Sequence, residues 1–142
     1  MFIASTDGAT ALALRLAGVG QRSVTLAIQV TAPQAHLSLP EVSVYREDLR
    51  RFCEAAAAMR ADMVDAAMLR GATPGELELR VWIVPATGRE LIGVELALRR
   101  DRRGHAAQDR FATLFAVTPD ALRAFETGLR AALAERIHDG LW

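Results

Sequence analysis

The chain has 142 residues, of which 51% are hydrophobic and 24% charged, and its seventeen basic residues balance seventeen acidic ones. A chain of this length and apolarity buries a core of its own, which excludes an intrinsically disordered protein and favours one folded domain. Net neutrality argues against a whole-molecule field for nucleic acid or anionic lipid, and the single cysteine closes no internal disulfide.

The opening Met1-Phe2-Ile3-Ala4-Ser5-Thr6-Asp7-Gly8 has neither the basic start nor the long apolar run of a signal peptide. No window approaches the ~20 apolar residues of a membrane span, so a soluble cytoplasmic protein is expected. Leu12, Leu14 and Leu16 alternate with Ala11, Ala13 and Arg15, the period of a strand with one buried face. After Gly18-Val19-Gly20, Val24, Leu26, Ile28 and Val30 repeat the pattern as a hairpin partner. Leu37, Leu39, Val42 and Val44 predict a third long strand. Pro40 lacks the amide proton a sheet ladder needs, so it marks a bulge or an edge.

From Glu47 to about Arg60 the period becomes helical, with Leu49, Phe52, Ala56 and Met59 on one face and acids in the first turn. A strand over Val64 to Leu69 follows, closed by Gly71-Ala72-Thr73-Pro74-Gly75. Leu77, Leu79, Val81 and Ile83 form a clear strand face, answered after a turn by Ile92, Val94, Leu96 and Leu98. A last strand runs through Phe111, Thr113, Phe115 and Val117. Thr118-Pro119-Asp120 then opens a helix with Leu122, Phe125, Leu129, Ala132 and Leu133 as its buried stripe, because threonine caps free amides and proline suits the first helical position.

An offset of 73 residues relates Val44 to Val117, Leu49 to Leu122, Arg50 to Arg123 and Phe52 to Phe125. Each half therefore ends as a strand running into a helix. The expected fold is α+β: a largely antiparallel sheet of about seven or eight strands with two amphipathic helices on one face, in the order strands-helix-strands-helix. No linker-like stretch intervenes, so residues 1–142 read as one domain with two quasi-repeated halves, 1–61 and 62–142. Duplication of an ancestor and coincidence of amphipathic spacing both account for the likeness.

Chemistry is harder to find. His36, His105 and His138 stand outside metal-ligand spacing of one another and of any cysteine pair. Cys53 falls beside the buried stripe of the first helix, where a core role outweighs a nucleophilic one. The acids Asp62 and Asp65, Glu76 and Glu78, Glu90 and Glu95 carry no spacing that identifies a reaction. Gly18-Val19-Gly20 lacks the rest of a phosphate loop and links two strands, so it is a turn. No catalytic, metal or cofactor motif emerges, and the balance leans away from an enzyme.

Two surfaces stand out. Arg99-Arg100-Asp101-Arg102-Arg103-Gly104-His105 concentrates positive charge, and Arg99, Arg100, Arg102 and Arg103 are candidate anion contacts. A solvated hairpin tip is the plainer reading, because no aromatics interleave. By alternation the uncovered sheet face displays Arg15, Thr25, Gln29, His36, Ser38, Glu78, Arg80, Trp82, Glu95, Ala97, Arg99 and Arg110. Trp82 is notable there, since Val81 and Ile83 belong to the opposite face. A tryptophan among arginines and glutamates has the composition of a protein-contact hot spot, and Arg80, Trp82, Glu95 and Arg110 are the candidate contact residues. The alternative is an indole that merely rests on Arg80, Glu95 or another cross-strand neighbour. Trp142, at the terminus, adds little.

The start Phe2-Ile3-Ala4-Ser5-Thr6-Asp7-Gly8, the hairpin Leu77 to Leu98 and the closing Val117-Thr118-Pro119-Asp120-Ala121-Leu122 resemble a group of small bacterial proteins related to the WapI-type immunity family, which neutralise wall-associated toxins. The likeness spans most of the chain. It implies a non-enzymatic, cytoplasmic bacterial protein that binds and blocks a partner, such as a toxin. It carries over no individual residue, because such families diverge on the binding face, and the arginine-rich loop lies outside the pattern.

The leading expectation is thus a protein-interaction module using the uncovered sheet face. The alternatives are a small-ligand protein or enzyme with a pocket between sheet and helices, using Cys53, His36 or His105, and a nucleic-acid contact through Arg99 to Arg103. Homodimerisation through an unpaired strand edge fits all of them.

Overall fold

Side chains that alternate in polarity turn one face of each strand inward, and the strands then need a common interior to bury it. A computed structural model describes residues 1–60, 63–85, 91–101 and 108–139 of the chain. Among the described residues the order is β1 (Phe2–Ala4), β2 (Ala11–Val19), β3 (Ser23–Ala32), β4 (Ala35–Tyr45), α1 (Arg46–Arg60), β5 (Ala66–Arg70), β6 (Leu77–Ile83), β7 (Ile92–Asp101), β8 (Gln108–Val117) and α2 (Pro119–Asp139). The α+β class and the expected order of strands and helices hold. β1 has three residues, too few for alternation to announce it, and His138 lies within α2.

All pairings are antiparallel, but the strands divide into two four-stranded sheets, β1-β2-β3-β4 and β5-β6-β7-β8. The physical reason is connectivity. Within each half short turns return each strand beside the last, whereas the 15 residues of α1 carry the chain away from β4 before β5 begins. In the first sheet Leu26 pairs with Val42 and Ile28 with Leu39, so Pro40 and Glu41 together stand against Ala27. This is the bulge expected at proline, on a strand that pairs with β3 alone in its sheet.

The sheets are tied to each other at two matching places. The Ala72 amide, just past β5, donates to the Ser43 carbonyl at 2.8 Å, and the Thr6 amide, just past β1, donates to the Ala116 carbonyl at 2.9 Å. Ser43 and Ala116 are again 73 residues apart, so the likeness of the halves extends from their helix junctions into the main-chain ties.

One continuous core takes in both sheets and both helices. Val44 and Val117, Leu49 and Leu122, Phe52 and Phe125 are all buried in it. The Thr118 hydroxyl accepts from the Ala121 amide at 3.1 Å and caps α2. Arg46 holds the start of α1 to the β2–β3 turn through the Gly20 and Gln21 carbonyls, both at 3.2 Å. The helices also contact each other. There Cys53 and Glu126, themselves 73 residues apart, are both buried. Arg130 reaches from the Glu126 carboxylate, 2.5 Å away, to the Cys53 carbonyl at 3.2 Å, which compensates the buried charge.

Phe52→Ala and Phe125→Ala are each expected to lower the unfolding free energy by about 3–5 kcal/mol, as large-to-small changes in a shared core do. Urea denaturation measures both, and a loss below about 1 kcal/mol in either contradicts the single core.

Candidate protein-contact surface

Inward placement of Leu79, Val81, Val94 and Leu96 turns the intervening residues of β6 and β7 outward. Register then arranges them in rows across the second sheet. Ala66, Trp82, Gly93 and Ala116 form one row, Met68, Arg80, Glu95 and Leu114 the next, and Arg70, Glu78, Ala97 and Ala112 a third.

Trp82 is half-buried, and its indole lies across Gly93 on the neighbouring strand. A Cβ at residue 93 would stand 2.4 Å from the indole Cε2 and Cζ2 and 2.9 Å from Nε1. Only the missing side chain lets the ring lie there. The Arg80 guanidinium carbon sits 4.9 Å from the ring centroid, and the same guanidinium donates to a Glu95 carboxylate oxygen at 3.4 Å. The cation–π contact is worth about 0.5–1 kcal/mol at an exposed site, and an exposed ion pair adds little. Their effect is to hold three large side chains in one arrangement.

Apolar side chains lie on either side of this cluster. Met68 and Leu114 end the middle row at 37% and 66% exposure, and Met63 and Val64, just before β5, are exposed as well. The indole thus rests on its cross-strand neighbour Gly93, with Arg80 of its own strand beside it.

Of the four expected contact residues, Arg80, Trp82 and Glu95 come together. Arg110 lies farther along β8, opposite Arg99. The face expected as one is two: Arg15, Thr25, Gln29, His36 and Ser38 belong to the first sheet, because the helix connection divides the strands. His36 and Arg110 meet instead at a cavity of about 210 Å³ between the β3–β4 and β7–β8 hairpins, lined also by Leu37, Leu39, Leu98 and Phe111.

Arg99 braces a turn. Its guanidinium donates to the Pro74 carbonyl at 2.9 Å and packs on Gly75, whose φ of +79° suits glycine and where a Cβ would meet the guanidinium at 3.0 Å. Arg100 follows it in β7, its backbone paired with Asp109; its side chain, together with Asp62, Glu90, Arg102, Arg103, His105 and Trp142, lies outside the described residues.

Cys53 is buried. Desolvation, reinforced by the nearby Glu126 carboxylate, pushes its thiol up to about 11. It is a protonated core group at neutral pH, and it does not line the cavity where His36 lies. Among the described residues no group of His, Cys, Asp and Glu is placed to hold a metal ion, and no helix is long and apolar enough to cross a membrane.

Met68 and Leu114 were readable as outward residues, since Leu69 and Phe115 beside them point in. Gly93 was not, because its role depends on which residue register sets opposite Trp82. Comparison with protein-family models, curated proteins and solved structures gives no match.

Two measurements check this site. Gly93→Ala is expected to lift the indole from the sheet and shift its fluorescence, read in a Trp142→Phe background so that Trp82 alone reports. Cys53 is expected to resist alkylation in the folded protein at neutral pH and to react once urea unfolds it. Its folded-state value lies above the ordinary 9.0, so the stability it contributes is complete below about pH 9 and falls as pH rises toward 11.

Proposed function

We propose that the protein is a non-enzymatic interaction module acting in the cytoplasm, and that it binds another protein through the outer face of the second sheet. The observation that carries this is the Trp82 indole lying over Gly93 beside Arg80. Solvation of a sheet needs no such arrangement. A tryptophan and an arginine already ordered, with exposed Met68 and Leu114 at the ends of the row, have the make-up of a hot spot with apolar surroundings. The resemblance to immunity proteins makes a toxin one candidate for the partner, but the surface argument stands without it.

A small-ligand reading draws on the cavity shared by His36 and Arg110, whose apolar walls and polar rim suit a small amphiphilic acid. It lies between the hairpins, not between sheet and helices.

Affinity capture on immobilised full-length protein tests the proposal. A protein partner, foreign or a further copy of this chain, is expected at stoichiometric yield. Trp82→Ala should weaken its retention by at least about tenfold, while Arg15→Ala on the first sheet should leave it unchanged. Equal retention by wild type and Trp82→Ala removes this face from the reading.

A further inference from the structure

We propose that the occupant of this face is a second copy of the chain, paired about a two-fold axis that runs along the strands between β6 and β7. The inference rests on the protein-contact reading of the face and names its partner.

Such an axis exchanges β6 with β7 and β5 with β8 while keeping each row opposite itself. Arg80 then meets Glu95 of the second copy, and Glu95 meets its Arg80. At the ends of the row Met68 meets Leu114 in both directions. Register alone supplies this reciprocity, since Met68, Arg80, Glu95 and Leu114 are consecutive cross-strand partners. In the neighbouring row each indole already lies over its own Gly93, beside the axis, so the two rings meet as an offset stack.

The charge pattern also disfavours one rival axis. A two-fold axis running across the strands through this row would set Arg80 on Arg80 and Glu95 on Glu95, which repel. Among the remaining outward positions Ala66, Ala97, Ala112 and Ala116 are small, and about this axis Arg70 meets Ala112 and Glu78 meets Ala97 of the second copy, which leaves room for two sheets to approach to about 10 Å. Aligned sheets cross at about 30°, so rows near the centre stay matched best.

The face is four strands wide and about 23 Å long for a seven-residue strand. That is roughly 440 Å² per copy at a strand spacing of ~4.8 Å, below the ~800 Å² of a standard stable interface. The pair should therefore be reversible, with dissociation visible on dilution.

Sedimentation of the full chain tests this through a charge exchange. Wild type, 15.4 kDa as a monomer, is expected to shift toward twice that mass between about 1 and 500 µM, a range suited to a small interface. Arg80→Glu and Glu95→Arg should each stay monomeric, because their central rows become all acidic or all basic. Mixing those two variants should restore the double mass as a heterodimer, and the double variant Arg80→Glu/Glu95→Arg should pair like wild type. Leu114→Arg, at an exposed position, is a second probe that leaves the core untouched and should weaken the pair by at least about tenfold.

A wild type monomeric throughout the range overturns the inference, as does a dimer indifferent to all these substitutions or single variants that fail to complement each other. If wild type is monomeric while Trp82→Ala still abolishes capture of a foreign protein, the second copy falls and the contact face stands. If mass ignores the substitutions at Arg80, Glu95 and Leu114 and capture ignores Trp82→Ala, the two readings fall together.

Discussion

The whole arrangement depends on burial of one side of every long strand in an interior that both sheets and both helices share. Leu12, Leu26, Leu79 and Leu96 come from different sheets, and Phe52 and Phe125 from different helices, yet all lie in the same core. Since apolar burial is the dominant favourable term in folding, neither half has reason to hold its sheet alone. Outward exposure of the reverse faces is the necessary counterpart, because a strand has only two sides.

The halves meet this demand in the same way. Each sends its last strand into a helix through a buried valine, leucine and phenylalanine, and each last strand accepts an amide from just beyond the other half's first strand. Where the two helices touch, however, the equivalent positions differ. Cys53 on one side and Glu126 on the other let Arg130 bridge carboxylate and backbone carbonyl. A pair of buried carboxylates there would repel, and a pair of thiols would give Arg130 no charge to meet.

On the reverse of the second sheet the same packing acts indirectly. Alternation sends Trp82 outward, register places a glycine beside it, and the ring takes the vacant area over the neighbouring strand. Arg80 and Glu95 then complete a cluster whose members orient one another. The contribution to stability is small, because these groups remain partly in solvent. Rigid aromatic and guanidinium groups held in this way would lose little freedom were another surface to meet them.

Local sequence determined the seven longer strands, both helices, a bulge or an edge at Pro40, the capped start of α2, the core position of Cys53 and the outward side of Trp82. Each follows from a property of a residue and its near neighbours: an alternating side chain, a missing amide proton, a hydroxyl before a helix. Tertiary structure alone decided that the strands divide into two sheets, that three residues at the start pair as β1, that Arg99 clasps the Pro74 turn, and that Gly93 lies under the indole with Met68 and Leu114 at the ends of the adjoining row. Those outcomes depend on which distant segments become neighbours. Local pattern carries no record of pairing partner or register, because a strand presents the same alternation to whichever strand lies beside it.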